Sequence, residues 1–391
     1  MNLINRPLYI ERLKKLRERD EIKILVGARG VGKTSILDLF AQNLLMTGIK
    51  RENIIRIDLD TLEFHNLKRE EEFYDLLITQ ISKKEKNFLL IDEISRVNNW
   101  QLVIDKIKKE FETDIYITSS IKISDLKFSS ILLNILPLSF REFQTFYKTS
   151  EILTLQDQFE LYLKIGGMPA TIQMSSNASA LASTLTNNFS SSLLQDVFIG
   201  SKITDFTLMT NLTKKLSEQA GIVHSFNSIS KLFNDKPAVR TIENYTANLL
   251  RSHLFYSIPV KDFNSSHVLS RYTKYYPVDF GYRNLILGDQ FYTQEILETV
   301  VYFELLRLGV DVSGCRIGKS IVLQADRKEL DDKIYINVVK NTNIKDKGAP
   351  YSPLRSIKNL FAKWVITAEE NISNSADGIK VTNILDFLMS E

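Results

Sequence analysis

Eight consecutive residues, Gly27-Ala28-Arg29-Gly30-Val31-Gly32-Lys33-Thr34, have the types and spacing needed to hold a chain of phosphates. Glycines let the backbone wrap an anion so that successive N–H groups point inward, and the N-terminus of a following helix adds a favourable field. Lys33 would reach the β- and γ-phosphates, and the Thr34 hydroxyl would ligate Mg²⁺. The candidate phosphate contacts are therefore Gly27, Arg29, Gly30, Val31, Gly32, Lys33, Thr34 and Ser35. About 60 residues later, the apolar run Phe88-Leu89-Leu90-Ile91 ends in Asp92-Glu93. Two carboxylates at the end of a buried strand suit a division of labour: Asp92 holds Mg²⁺ through water, and Glu93 polarises an attacking water. Lys33 and Glu93 are the candidate catalytic residues, Thr34 and Asp92 the candidate metal ligands, and hydrolysis of a nucleoside triphosphate is the chemistry.

Both motifs need a rigid frame, and the surrounding pattern supplies one. Ile22 to Val26 reads as a buried strand entering the loop, and Ile36, Leu37, Phe40, Leu44 and Leu45 recur at helical spacing after it. Strands follow at 53–58, 88–92 and 114–118, separated by helical patterns at 72–82 and 102–112. A last short strand is expected within 131–138, before a helix that starts at Phe140. Strands alternating with helices predict a parallel sheet with crossover helices. The guanine-reading pattern Asn-Lys-x-Asp is absent, which favours ATP over GTP.

Length and composition bound the rest. A chain of 391 residues implies two or three domains, and 44% hydrophobic with 25% charged residues is the make-up of a soluble globular protein. A net charge of +3 leaves no global field that demands nucleic acid, although local basic faces remain open. Cys315 is the single cysteine, so neither an internal disulfide nor a cysteine-based zinc site can form. No signal-peptide core precedes Asp20 and no run approaches a membrane span, so the expectation is a cytoplasmic protein without membrane contact.

Beyond residue 150 the pattern turns helical, with a breaker cluster at Gly166-Gly167-Met168-Pro169 expected to form a rigid bend. A helix with a polar face is expected over 177–192. Between 206 and 263 the order is helix, short helix, turn, helix and strand, which is that of a winged helix-turn-helix. Its last helix would bury Ile242, Tyr245, Leu249 and Leu250, and would turn Arg240, Thr241, Asn244, Asn248 and Arg251 outward. Arg240, Asn244, Asn248 and Arg251 are the candidate DNA contacts. The alternative is a packing module that only resembles a DNA reader. The final segment mixes a helix at 293–308, strands at 320–324, 333–339 and 362–367, and a helix around 354–361.

Several stretches together carry a family resemblance: Arg6-Pro7-Leu8-Tyr9, Gly27 to Thr34, Leu90 to Ile94 with Trp100, Ile115 to Thr118, Leu136 to Phe143, Gly166 to Pro169, and Tyr275 to Gly281 with Leu297-Glu298. In their order and spacing the chain resembles the bacterial and archaeal AAA+-like ATPases that join a P-loop domain to a winged helix and a C-terminal nuclease-like domain of the PD-(D/E)xK type. The resemblance implies an α/β chain. A P-loop parallel-sheet ATPase domain at 1–145 is followed by a helical and winged-helix domain at 146–265 and a restriction-nuclease-like α/β domain at 266–391. Arg6 and Tyr9 would line the base pocket or, alternatively, pack the N-terminal segment onto the sheet.

Two departures from the family pattern matter. The turn after the strand at 114–118 reads Ser119-Ser120-Ile121, and Lys122 to Leu136 contains no arginine. Thr118, Ser119 or Ser120 must then sense the γ-phosphate. The missing arginine predicts slow turnover, or an arginine supplied by Arg29, Arg96, Arg141 or a partner chain. In the C-terminal domain Glu298 matches the helix glutamate of a nuclease, but the next strands offer Gln324, Asn337 and a Lys340 one residue late for its face. The alternative is that Asp326 substitutes for the missing aspartate. The expectation is a nuclease-like scaffold without nuclease activity. The whole then reads as an ATP-binding, slowly hydrolysing switch that answers ATP against ADP, with DNA through the winged helix or a protein as partner. The alternatives are an ATP-liganded DNA-binding regulator and a scaffold with a structural nucleotide site.

Overall fold

Every residue of Ile22–Val26 (β1) and of Asn87–Asp92 (β3) is buried, as strands are when a parallel sheet is covered on both faces. The structure, a computed structural model, describes residues 4–64, 66–147, 152–173, 178–198, 203–288, 293–327, 331–341, 348–369 and 375–390. Asn177, the first residue of the helix expected over 177–192, lies outside them. The described chain divides into two units: residues 1–137 with 251–253, and 138–250 with 254–391.

The first unit begins with Pro7–Leu16 (α1), and Lys33–Met46 (α2) follows β1. Next come Ile54–Asp58 (β2), Glu70–Gln80 (α3), β3, Trp100–Glu110 (α4), Thr113–Ser119 (β4) and Ser130–Asn134 (β5). The sheet order is β2-β3-β4-β1-β5, with every pairing parallel. The last strand ends at Asn134, so Leu136 and Pro137 have already left the sheet. Ile24, Leu89, Ile91, Ile104 and Ile117 are fully buried and form the apolar centre of one face. An ion pair is buried on the opposite face: Lys23 on β1 lies 2.6 Å from Asp114 on β4, both side chains almost fully enclosed. Asp114 also accepts from the Glu18 amide and the Tyr116 hydroxyl, so its lone pairs are satisfied.

The second unit starts with Phe140–Phe146 (α5), whose Ser139 and Glu142 form a reciprocal capping box. Leu155–Ile165 (α6), Pro169–Gln173 (α7) and Ala178–Ser191 (α8) follow, the last running into a π-helical turn at Ser192–Phe198. Then come Phe206–Glu218 (α9), Val223–His224 (β6), Phe226–Ser230 (α10), Val239–Arg251 (α11), Phe255–Asp262 (β7) and Val268–Pro277 (β8). Phe280–Leu287 (α12), Gln294–Arg307 (α13), Asp311–Ile317 (β9), Ser320–Arg327 (β10) and Asp332–Val339 (β11) lead on. Ser352–Arg355 (α14), Ala362–Thr367 (β12), Ser375–Ala376 (β13), Ile379–Asn383 (β14) and Ile384–Met389 (α15) complete the chain.

These strands build one nine-stranded sheet in the order β13-β14-β12-β11-β10-β9-β7-β8-β6. The β7–β8 hairpin joins the C-terminal strands because β7 pairs in parallel with β9. The cut expected at 265/266 therefore passes through a hairpin of this sheet. The helix expected around 354–361 is a single turn, and Asp311–Ile317 is a strand where no element was expected.

The Gly166 cluster is indeed a bend, and a carboxylate holds it. Gly166 ends α6 with φ 81°, and the Gly167 amide donates to Asp279 Oδ2 at 2.7 Å. Asp279 caps α12 by accepting from the Tyr282 amide at 3.1 Å. Added Cβ atoms would lie 2.3 Å from Asp279 Oδ1 at Gly166 and 2.4 Å from the Ile165 carbonyl oxygen at Gly281. Burial pushes the Asp279 carboxyl up to about 6, against the pull of those amides.

Candidate active site

The loop leaves β1 at the carboxyl edge of the parallel sheet, where this architecture binds ligands. A Cβ on Gly27 would sit 2.2 Å from the Ile135 carbonyl oxygen, so the first loop position admits only glycine without backbone movement. Gly30 and Gly32 have φ of 86° and 95°, the left-handed region that glycine enters freely. Gly32 caps α2, and Lys33 is its first residue. The Arg6 guanidinium braces this loop by donating to the carbonyls of Val31 at 3.1 Å and Leu136 at 2.8 Å. It also lies over the Tyr9 ring, whose hydroxyl accepts from the Leu136 amide at 3.2 Å. Arg6 and Tyr9 are both buried in these contacts.

Lys33 and Glu93 are drawn together. The Lys33 ammonium donates to the carbonyls of Gly27 at 3.0 Å and Ala28 at 3.2 Å, and to Ser120 Oγ at 2.8 Å. It stands 3.3 Å from Glu93 Oε1. Ser120 donates to the Glu93 carboxylate through both its hydroxyl and its amide, the latter at 3.0 Å. Burial alone would push the Glu93 carboxyl up, but Lys33, Ser120 and Arg29 outweigh it and hold the group below its ordinary value. Glu93 itself has φ 52° and is turned back on the sheet edge by that kink.

Thr118 ties the other carboxylate. Its hydroxyl donates to Asp92 Oδ1 and accepts from the Glu93 amide at 2.9 Å. Thr34 also hydrogen-bonds Asp92, and Arg56 Nη2 lies 3.5 Å from Oδ2. Burial raises the Asp92 carboxyl despite these partners. One hydroxyl beside one buried carboxylate is the hard-oxygen donor set Mg²⁺ accepts when phosphates and waters fill its other positions. Thr34 and Asp92 thus fit the ion. Among the described residues no group of three or more His, Cys, Asp or Glu could hold a metal by itself.

Of the three sensor candidates, Ser120 faces Lys33 and Glu93 and Thr118 faces Asp92. Ser119 instead closes its own turn, donating to the Ile121 carbonyl at 2.7 Å. Arg29 and Arg96 converge on Asp60, with Arg29 Nη1 2.8 Å from Oδ2 and Arg96 Nη2 2.6 Å from Oδ1. Arg141 lies in the second unit and donates to the Leu388 and Met389 carbonyls at the end of α15. The Lys122 amide donates to the Arg251 carbonyl at 2.7 Å, which anchors 251–253 in the first unit. Within that segment His253 is buried, and burial with the Lys33 and Lys122 ammoniums lowers its imidazole to about 3. Asp60, His253 and the Lys23–Asp114 pair carry no sequence motif, and only the fold brings them to their partners.

On α11 Ile242, Tyr245 and Leu249 are buried and Leu250 is half-buried. Arg240 and Asn244 are exposed, whereas Asn248 and Arg251 are half-buried. On α13, Glu298 is held by two residues of β8: Lys274 at 2.7 and 2.8 Å and the Tyr276 hydroxyl at 2.8 Å. Asp326 accepts from Gln324 at 2.9 Å and lies 3.5 Å from Lys261. Asn337 donates to the Pro350 carbonyl at 2.7 Å.

The model of the AAA domain family matches residues 19–144, and that of a domain of unknown function matches 156–291. An uncharacterised protein of Haemophilus influenzae is 28% identical over 407 aligned residues, covering 99% of each chain. One from Methanocaldococcus jannaschii is 26% identical, covering 78% of this chain and 70% of its own. A solved Walker-type ATPase of Pyrococcus abyssi aligns at a TM-score of 0.49 with 14% identity, over 73% of this chain and 96% of that one. The Holliday junction branch migration motor RuvB of Thermotoga maritima aligns at 0.35 with 14% identity, over 65% and 89%. Among the described residues no helix is long and apolar enough to cross a membrane. With the loop, the carboxylate pair and the family match in one place, residues 19–144 form an AAA-type P-loop ATPase domain.

Proposed function

We infer that this protein is an ATP-driven switch with slow intrinsic hydrolysis. The observation that carries the reading is the closed circuit of Lys33, Ser120 and Glu93, in which the phosphate-gripping lysine and the water-polarising carboxylate hold one another. A triphosphate entering the loop competes for Lys33, and Glu93 is then released toward water. The water oxygen attacks the γ-phosphorus, the bond from that phosphorus to the β,γ-bridging oxygen breaks, and ADP and phosphate leave. Glu93 accepts the hydrogen bond of the attacking water, and the water proton ends on phosphate or on Glu93. Bound Mg²⁺ would supply charge neutralisation at the phosphates, with Thr34 and Asp92 to hold it.

The segments 146–265 and 266–391, which share one sheet through the β7–β8 hairpin, are read as winged-helix and nuclease-like portions that respond to this state. The pairing of Glu298 with Lys274 and of Asp326 with Lys261 supports a scaffold without nuclease chemistry, because each carboxylate already has a cation. The exposure of Arg240 and Asn244 favours a second reading in which α11 contacts DNA phosphates. Limited proteolysis with ATP, ADP or neither tests the switch. A digestion pattern that changes with ATP in the wild type and not in Lys33→Ala supports it, and identical patterns in all three states contradict it. Salt-sensitive duplex binding that weakens in Arg240→Ala would support the DNA reading.

A further inference from the structure

Three charged groups meet at the rim of the phosphate loop without a role in the scheme above. Arg29 belongs to the loop itself, Asp60 follows β2 by two residues, and Arg96 sits on the turn that begins at Glu93. One carboxylate receives both guanidiniums, each on its own oxygen. In the sheet order β2-β3-β4-β1, three strand spacings of roughly 4.8 Å separate the strands that deliver Asp60 and Arg29. The Arg29–Asp60 bond therefore crosses the carboxyl edge in front of β3 and β4, the strands that end in Asp92-Glu93 and in Thr118 to Ser120. Arg96 is tied to the same place, because its amide donates to the Glu93 carbonyl at 3.0 Å. The Arg29 guanidinium also acts electrostatically on the Glu93 carboxylate.

We propose that Asp60 is a positioning residue that stores Arg29 and Arg96 as a pair at the mouth of the site, and that both guanidiniums pass to the terminal phosphate of a bound nucleoside triphosphate. The planar fork that binds a carboxylate binds phosphate equally well, and a γ-phosphate carries more negative charge than Asp60. Two cations on one anion leave the triad net positive, which suits an incoming polyanion. All three side chains reach solvent, Arg29 at 19%, Asp60 at 36% and Arg96 at 31% exposure, so an incoming polyanion can meet them. The segment from Lys122 to Leu136 lacks an arginine, and Arg141 is committed to the carbonyls that end α15. Arg29 and Arg96 are then the arginines on the first unit's own loop and turn that stabilise charge on the transferred group. ADP has no γ-phosphate to receive them, so the pair distinguishes triphosphate from diphosphate.

The proposal rests on the ATPase reading, and its test separates the two. Binding of ADP and of the slowly hydrolysed analogue ATPγS is measured by calorimetry with Mg²⁺, beside steady-state ATP hydrolysis. The double variant Arg29→Ala/Arg96→Ala should keep ADP affinity within about threefold, weaken ATPγS at least about tenfold and lower kcat about a hundredfold. Asp60→Asn should lower kcat about tenfold with ADP affinity kept, and Asp60→Glu should recover most of it. Arg29→Lys and Arg96→Lys keep the charge and should give intermediate preferences. A wild type that hydrolyses ATP, with variants that retain its ATPγS-to-ADP preference and its kcat, would overturn the proposal and leave the ATPase reading standing. A wild type that binds neither nucleotide would overturn both.

Discussion

The Lys33 ammonium lies 3.3 Å from Glu93 Oε1, and both side chains are buried. Both also hydrogen-bond Ser120, so the three side chains form one satisfied network. Phosphate binding must break part of that network.

Removing the middle member should favour the ligand. Ser120→Ala deprives Lys33 and Glu93 of a shared hydroxyl, two hydrogen bonds at about 1 kcal/mol each. ATP affinity should therefore rise, by up to about thirtyfold, read by calorimetry. Unchanged or weaker binding would mean that Ser120 serves the bound state instead.

The buried Lys23–Asp114 pair should be costly to break and cheaper to replace. Lys23→Met leaves the Asp114 charge enclosed and should lower unfolding free energy by about 3–5 kcal/mol. Lys23→Met/Asp114→Asn removes that charge while leaving an acceptor for the Glu18 amide and the Tyr116 hydroxyl, and should recover about half of the loss or more. Urea unfolding of the three proteins decides this.

The lowered imidazole of His253 gives stability a pH dependence of known sign. Its folded pKa of about 3 lies below the ordinary 6.5, so the unfolded chain takes the proton first. The contribution is complete above pH 6.5 and is lost as pH falls toward 3, by about 1.4 kcal/mol per pH unit. Between pH 6.5 and pH 5.5 the wild type should lose about 1 kcal/mol more than His253→Asn, whose asparagine tolerates the φ of 56°. Equal losses would contradict it.

Close backbone approach at Gly281 should show in a single methyl group. Gly281→Ala places Cβ 2.4 Å from the Ile165 carbonyl oxygen and 2.9 Å from Asp279 Oδ1. Destabilisation by about 2–4 kcal/mol is expected, measured as a shift in denaturant midpoint, whereas Gly288→Ala meets no atom within 4 Å and pays only its φ of 76°.

The phosphate loop and the Asp92-Glu93 strand were legible because each imposes local chemistry: glycines where φ is positive, and an unbroken apolar run where both faces are covered. The helix after Ser139 was legible for the same reason. Long-range pairings were not. Asp311–Ile317 contains Ser313, Gly314 and Arg316, which mask strand periodicity, and it is a strand because β7 and β10 flank it. Lys23 interrupts an otherwise apolar strand, and only the neighbouring β4 shows why a lysine can stay there. Arg6 and Tyr9 matched a motif whose use, bracing the loop from behind, depends on Leu136, 130 residues away from Arg6. Asp60 was invisible for that reason too, since nothing local marks an aspartate that gathers two arginines.

The most direct test of the central claim is steady-state release of phosphate from ATP and Mg²⁺ by the wild type and by Glu93→Gln, with ATP binding measured on the same preparations. Slow turnover by the wild type, lost by about a hundredfold or more in Glu93→Gln with ATP binding intact, is the predicted result. Equal rates in the two proteins, or two equally inactive proteins that both bind ATP, would contradict it.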